Sequence, residues 1–206
     1  MTRPLKLYNH THAPNPRRVR IFAAEKGIAL SLEEVDILAG QSRMPEFLAK
    51  NSSGAVPVLE LDDGSCLSES VAICRYLEGL QPEPNLLGRD LREQAEIERW
   101  NRRMELELAP ISRTFQNTNL LFQKRIKQFQ EYGESQRAVV YQRLERMDHE
   151  LNGREFIASD RFTIADITAL VAIDFGSRLA NIQIAPTLPH LTRWHETVSK
   201  RASAGA

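Results

Sequence analysis

The first eighty residues alternate short apolar runs with short helical repeats, whereas nearly everything after Arg89 repeats apolar positions at helical spacing. Leu5 and Leu7 predict a strand, and Val19, Phe22 and Ala23 one face of a helix ending near Gly27. Leu30 and Leu32 predict a second strand running towards Val35, which completes a βαβ unit. A short helix around Pro45 to Ala49 follows. Val56 to Leu61 and Cys66-Leu67 flank Asp62-Asp63-Gly64, a turn sequence, and so read as an antiparallel hairpin. A helix from Glu69 to Glu78, with Ile73, Leu77 and Leu80 spaced by four and three, closes the unit.

Gln81-Pro82-Glu83-Pro84-Asn85 reads as a linker, because two prolines in three positions remove donors and bias their neighbours away from helix. The pattern predicts a first domain over 1–80, a linker over 81–88 and an all-helical domain over 89–206. In the last of these, Ile97, Trp100, Met104, Leu108 and Ile111 keep a 3-4-4-3 spacing, and Val140, Leu144, Met147 and Leu151 a 4-3-4 spacing, as in amphipathic helices. Residues 164–180 are apolar on nearly every side and predict a buried central helix; Leu188, Leu191, Trp194 and Val198 predict the final one. Thr163-Ile164-Ala165-Asp166 reads as a capping box opening the buried helix. No internal repeat is evident.

Composition narrows the function classes. A chain of 206 residues accommodates one large domain or two small ones, and 42% hydrophobic residues with 10 Gly and 10 Pro describe a folding sequence. Its 27 Lys+Arg balance 27 Asp+Glu, which removes the charge surplus of a nucleic-acid binder or a membrane-surface protein. Cys66 and Cys74 are too few for a disulfide scaffold and lack the partners of a zinc site, so the reducing cytoplasm is the expected compartment. The N-terminal segment reaches polar Asn9-His10-Thr11-His12 before a signal-peptide core could form, and charges interrupt every later apolar run; neither a targeting nor a transmembrane segment is expected. His10 and His12, in one polar loop without a nearby acid or cysteine, read as solvated, and no metal site is expected.

The order βαβ, α, ββα is that of a thioredoxin-like unit, and followed by an all-helical domain it resembles the soluble glutathione S-transferases over nearly the whole chain. The most specific stretches are Asn51-Ser52-Ser53-Gly54-Ala55-Val56-Pro57-Val58-Leu59 and Leu67-Ser68-Glu69-Ser70-Val71-Ala72-Ile73 with Tyr76-Leu77, which look like the family's glutathione site. By itself Pro57 fits the start of an edge strand. The resemblance implies instead a cis Val56-Pro57 bond that leaves the Val56 N–H and C=O free to pair with the cysteinyl unit of glutathione. Ser68 or Ser70 can cap the helix that follows; the resemblance implies that Ser70 and the helix N–H groups take the γ-glutamyl carboxylate and Glu69 the amino group. It also places Gln41 near the glycyl end, where a solvated loop glutamine is the alternative. The family often has Lys or Arg before the Val-Pro pair and proline after the asparagine, where this chain has Ala55 and Ser52.

The thiol-activating residue distinguishes classes within that family. Ala13 stands where the serine-type theta and zeta patterns carry their serine, whereas Ala13-Pro14-Asn15-Pro16 looks like the Pro-Asn pattern of the bacterial nu class, where the asparagine contacts the glutathione sulfur. Asn15 is therefore the candidate catalytic residue, and Asn followed by Pro is also the signature of a helix N-cap. Tyr8, at a strand end, is the alternative donor or a packed strand residue. Arg17, Arg18 and Arg20 crowd a helix N-terminus, either around a bound anion or reaching into solvent or a subunit interface. The resemblance implies a cytoplasmic homodimer with glutathione as co-substrate and a small hydrophobic electrophile, for which Met104 and Leu108 are candidate contacts. The competing functions are a non-catalytic binding or regulatory protein of the same fold, which intact Val56-Pro57 and Glu69-Ser70 pieces disfavour, and a zeta-like isomerase, whose serine motif is missing.

Overall fold

Strand β1 (Leu5–Asn9) runs parallel to β2 (Leu30–Glu34), with Leu7 opposite Leu32, because helix α1 (Pro14–Glu25) carries the chain back along the sheet between them. After the single turn of α2 (Pro45–Leu48), β3 (Val58–Glu60) pairs antiparallel with β1 and with β4 (Cys66–Ser68), and helix α3 (Ser70–Leu80) follows. The order across the sheet is β2-β1-β3-β4. The computed structural model describes residues 5–206, and they cluster into two units, one up to Leu86 together with Ala202–Ala206 and one over Leu87–Arg201.

Strand alternation sorts β1. Leu7 and Asn9 are buried, whereas Lys6 and Tyr8 lie on the opposite side, where Tyr8 meets Phe47 of α2 edge-on with ring centroids 6.1 Å apart. Val35, Phe47, Val56 and Val58 form a small apolar cluster there. The Tyr8 hydroxyl donates to Glu60 Oε2 at 2.6 Å, and Lys6 donates to the other carboxylate oxygen at 3.2 Å. These bonds push the Glu60 carboxyl down to about 2 from 4.5, the Tyr8 hydroxyl contributing most. A depressed carboxyl adds stability that is present above the unfolded value and lost as pH falls through the folded one. Acid titration of thermal stability is expected to show this loss between pH 4.5 and about 2, and Glu60→Gln to flatten it; an unchanged acid limb in the variant would contradict the assignment.

Helix α1 ends where Gly27 takes φ +66°, a left-handed position open to glycine, and the Ile28 N–H closes the turn on Ala23 C=O at 2.9 Å. The neighbouring Lys26 ammonium is buried, ion-paired with Glu78 of α3 and donating to Pro82 C=O at 3.2 Å and Pro84 C=O at 2.6 Å. One lysine thus binds two helices to the proline segment that leaves the sheet. The last residues return to this unit: Arg17 donates to Ala204 C=O at 2.9 Å, and the Ser203 hydroxyl meets the Glu25 carboxylate.

In the helical unit, α4 (Leu91–Leu108) starts at Asp90, whose side chain accepts the Glu93 N–H at 2.9 Å. The apolar spacing that runs on through Ile111 is shared by two helices, since Pro110, lacking an N–H, opens α5 (Pro110–Thr118). Helix α5 lies against α6 (Gln130–Glu150) so closely that a Cβ at Gly133 would sit 2.7 Å from Thr118 Cγ2. The central helix α7 (Ile164–Leu179) is buried along most of its length, as its composition predicts, and α8 (Pro189–Ser199) packs Leu191, Trp194 and Val198 inward. Among the described residues, no helix is long and apolar enough to cross a membrane.

Candidate functional site

The sequence offers Asn15 as a helix N-cap, and the structure corrects this. Helix α1 begins two residues earlier, with Ala13 extended at the N-cap and Pro14 in the first helical position. Pro14 suits that position as well as Pro16 does, and the Ala13 N–H to His10 C=O bond, 3.0 Å, closes the preceding turn there. Asn15 therefore sits one step inside the helix and caps nothing. Pro14 and Pro16 have no N–H, so Asn15 supplies the one backbone donor of these three positions. Its exposed side chain accepts a bond from Arg18 at Oδ1, 3.2 Å, and among the described residues Nδ2 has no partner.

For Arg18 the structure decides against one of the alternatives. The residue does not extend into solvent; it is 4% exposed, and its Nη1 donates both to Asn15 Oδ1 and to Ser70 Oγ, the latter at 2.6 Å. Arg20 donates to Asn9 Oδ1 and to Thr11 C=O, the latter at 3.1 Å. The loop between β1 and α1 is further pinned by Glu34, which accepts from Asn9 Nδ2 and the Thr11 N–H, each at 2.7 Å. Burial opposes ionisation of Glu34, but the Thr11 and Asn9 bonds outweigh it and hold the carboxyl below its usual range. Glu34 also lies 3.4 Å from His10 Nδ1, so this histidine does have an acid beside it, one distant in sequence. No group of three or more metal-ligating side chains occurs among the described residues.

Helix α3 starts with neither Ser68 nor Ser70 as its cap. Glu69 occupies the N-cap at φ 67°, ψ 112°, a strained position for a residue with a Cβ, and its side chain makes no cap bond. Ser70 is the first helical residue, buried, with its hydroxyl oxygen accepting a hydrogen bond from Arg18. The first bond of the helix runs from the Ile73 N–H to Glu69 C=O, 2.9 Å, so the Ser70, Val71 and Ala72 N–H groups have no acceptor within the helix. An uncapped helix N-terminus with a buried guanidinium beside it is suited to an anion.

The Val56-Pro57 bond is cis, as the resemblance implies, and it precedes β3. Among the described residues neither the N–H nor the C=O of Val56 takes a hydrogen bond. Glu83-Pro84 is also cis, which its sequence does not announce. Gln41 uses its side-chain oxygen on its own turn, accepting the Asp36 N–H at 2.7 Å, which leaves its NH₂ for a ligand. It borders a cavity of about 240 Å³ with Tyr8, Val35, Met44 and Lys50. The Tyr8 hydroxyl proton is committed to Glu60, and Met104 and Leu108 are both buried. Cys74 is fully buried, its thiol pushed up to about 12 by desolvation. Sequence reasoning left Arg18 among three arginines, open between an anion and solvent; the three-residue step from Asn15, which places both on one helix face, is the signal that singles it out.

A thioredoxin-like sheet with a cis-proline before β3, an open α3 N-terminus and a separate all-helical unit defines the class: this is the glutathione transferase fold. The chain belongs to the glutathione S-transferase family. Residues 12–80 match the family's N-terminal domain and residues 99–202 its C-terminal domain. It is 34% identical to glutathione S-transferase 2 of Saccharomyces cerevisiae, over 98% of this chain and 89% of the relative. The crystal structure of a glutathione S-transferase domain-containing protein from Marinobacter aquaeolei superposes with TM-score 0.89 at 36% identity, over 96% of this chain and 98% of that one. A Gtt2-class glutathione S-transferase of Vibrio parahaemolyticus superposes with TM-score 0.84 at 34% identity, over 96% and 94% of the two chains. The protein is a glutathione transferase enzyme.

Proposed function

We propose that glutathione binds along the thioredoxin-like unit, with its γ-glutamyl carboxylate on Ser70 and the first-turn N–H groups of α3, and its amino group on Glu69. The cysteinyl backbone pairs with Val56, which Pro57 presents, and the Gln41 NH₂ serves the glycyl end. The sulfur lies at the N-terminus of α1, where Asn15 Nδ2 and the Asn15 N–H donate to the thiolate. The thiol proton leaves to solvent, and the thiolate forms a new bond to carbon with loss of halide from an aryl halide, to sulfur with cleavage of a disulfide and release of its other half as thiolate, or to the terminal oxygen of a hydroperoxide with cleavage of the O–O bond to give a sulfenic acid and an alcohol. The enzyme acts in the cytoplasm as a homodimer and without a metal. The observation that carries this reading is the open α3 N-terminus, with Ser70 buried beside Arg18 and no side chain of its own as cap.

Calorimetry provides the test. Ser70→Ala removes a hydrogen bond to a charged group and is expected to weaken glutathione binding by about 1–3 kcal/mol, roughly 5- to 150-fold in Kd. Turnover of an aryl halide, a hydroperoxide and a mixed disulfide then identifies the dominant reaction. Wild-type protein that fails to bind glutathione would overturn the proposal and favour the non-catalytic role.

A further inference from the structure

We infer that Arg18 is a positioning residue that couples the two ends of the glutathione site, setting the polarity of Asn15 and Ser70 together. The inference rests on the proposed roles of those two residues and adds a group that touches neither the thiol nor the carboxylate in that scheme. A single nitrogen, Nη1, carries two hydrogens and meets two acceptors: Ser70 Oγ at 2.6 Å and Asn15 Oδ1 at 3.2 Å. Arginine accepts nothing, so both oxygens must act as acceptors towards it.

Two consequences follow from that constraint. The Ser70 hydroxyl proton is turned away from Arg18 and left to donate, as binding a ligand carboxylate requires. The Asn15 amide is fixed with its oxygen inward, so the exposed end is the NH₂, the end that can donate to a thiolate and the reverse of what a flipped amide would present. Burial adds a third effect: Arg18 is 4% exposed, and a guanidinium screened from water acts on a nearby anion more strongly than one at the surface. The guanidinium also ties the first turn of α1 to the first turn of α3, so the spacing of the two positive helix ends depends on it. A lysine would keep the charge, but as a point donor on a shorter stem it could not reproduce the fork.

The experiment is a double-mutant cycle in two backgrounds. Asn15→Ala, Ser70→Ala and their combination are made in the wild-type protein and in Arg18→Lys, with kcat/KM and the thiolate absorbance of bound glutathione followed against pH. In the wild-type background the two single losses are expected not to multiply, because both residues lean on one guanidinium. In Arg18→Lys the losses should become multiplicative, with the bound thiol pKa raised by about one unit and the glutathione KM raised about tenfold. Arg18→Gln, which removes the charge as well, should raise the thiol pKa further; where it fails to fold, Arg18→Lys carries the test alone. A folded Arg18→Lys protein with the wild-type thiol pKa and the same non-multiplicative cycle would overturn the inference. Asn15→Ala and Ser70→Ala that each leave wild-type kinetics unchanged would instead remove the proposed glutathione site itself, a separate result.

Discussion

Asp166→Ala is expected to unfold the helical unit or to lower its stability by more than about 4 kcal/mol, read as loss of the cooperative melt at growth temperature. The carboxylate is fully buried and accepts from four donors: the Ile157 N–H and Trp194 Nε1 at Oδ1, each 2.9 Å, and the Thr163 N–H and hydroxyl at Oδ2, 3.0 and 3.1 Å. The Thr163 N–H bond is one half of the capping box that opens α7. The other donors come from the loop before the helix and from α8, so one side chain joins three segments. Truncation strands several buried donors, each at about 1–3 kcal/mol, in a domain whose whole stability is typically about 5–15 kcal/mol.

Asp166→Asn separates shape from charge. Its single oxygen can serve the Ile157–Trp194 pair or the Thr163 pair, and its NH₂ then faces a donor. The Thr163 hydroxyl can rotate to accept, but the Thr163 N–H cannot. The asparagine variant should therefore fold with a loss of about 1–3 kcal/mol, well short of the alanine loss. Equal melts for Asp166→Ala and wild type would show that the four bonds contribute nothing net. Burial holds the Asp166 carboxyl above its usual range despite these bonds.

Much of the architecture was legible because it depends on local signals. Asp62-Asp63-Gly64 could only turn, Gly27 could only end a helix, and the apolar surround of 164–180 could only be satisfied by burial. The capping box was visible for the same reason, since its two partners are three residues apart. What sequence missed depends on contacts between distant residues. Arg18 stayed open between a bound anion and solvent, because whether an arginine is buried depends on what packs around it, here including a serine 52 residues away. Tyr8 stayed open between a donor and a packed strand residue because Glu60 reaches it only through strand pairing. The helix start was misplaced by two positions because Pro14 and Pro16 are equally good first helical residues, and the preceding turn at His10 favours the earlier one. The glutathione-site segments were recognisable as a family pattern, but that the α3 N-terminus lacks a cap became visible only when Ser70 was seen turned towards Arg18.

Because Asn15 is not a cap, its substitutions separate chemistry from stability more cleanly than the sequence alone suggested. Asn15→Ala removes the Nδ2 donor and one weak bond to Arg18 without exposing a helix end, so the melt should shift little. Turnover is expected to fall about 10²-fold, the typical effect of deleting one donor to a developing or stored anion. Asn15→Asp goes further in opposite directions. A carboxylate in the first turn of α1 interacts favourably with the helix dipole, by about 0.3–1 kcal/mol, and with the guanidinium it already touches, so stability should hold or rise. Beside the sulfur it substitutes a negative charge for a donor, which disfavours the thiolate and raises the bound thiol pKa by about 1–3 units. Once the thiol pKa lies above the ambient pH, each further unit removes nearly tenfold of the reactive form, and activity should recover as pH rises towards the new value. The thiolate absorbance of bound glutathione against pH, with turnover and thermal melts alongside, reads all three effects. An Asn15→Asp enzyme with wild-type turnover and thiol pKa would show that the side chain is not the donor, and would leave the Asn15 backbone N–H as the group at the sulfur.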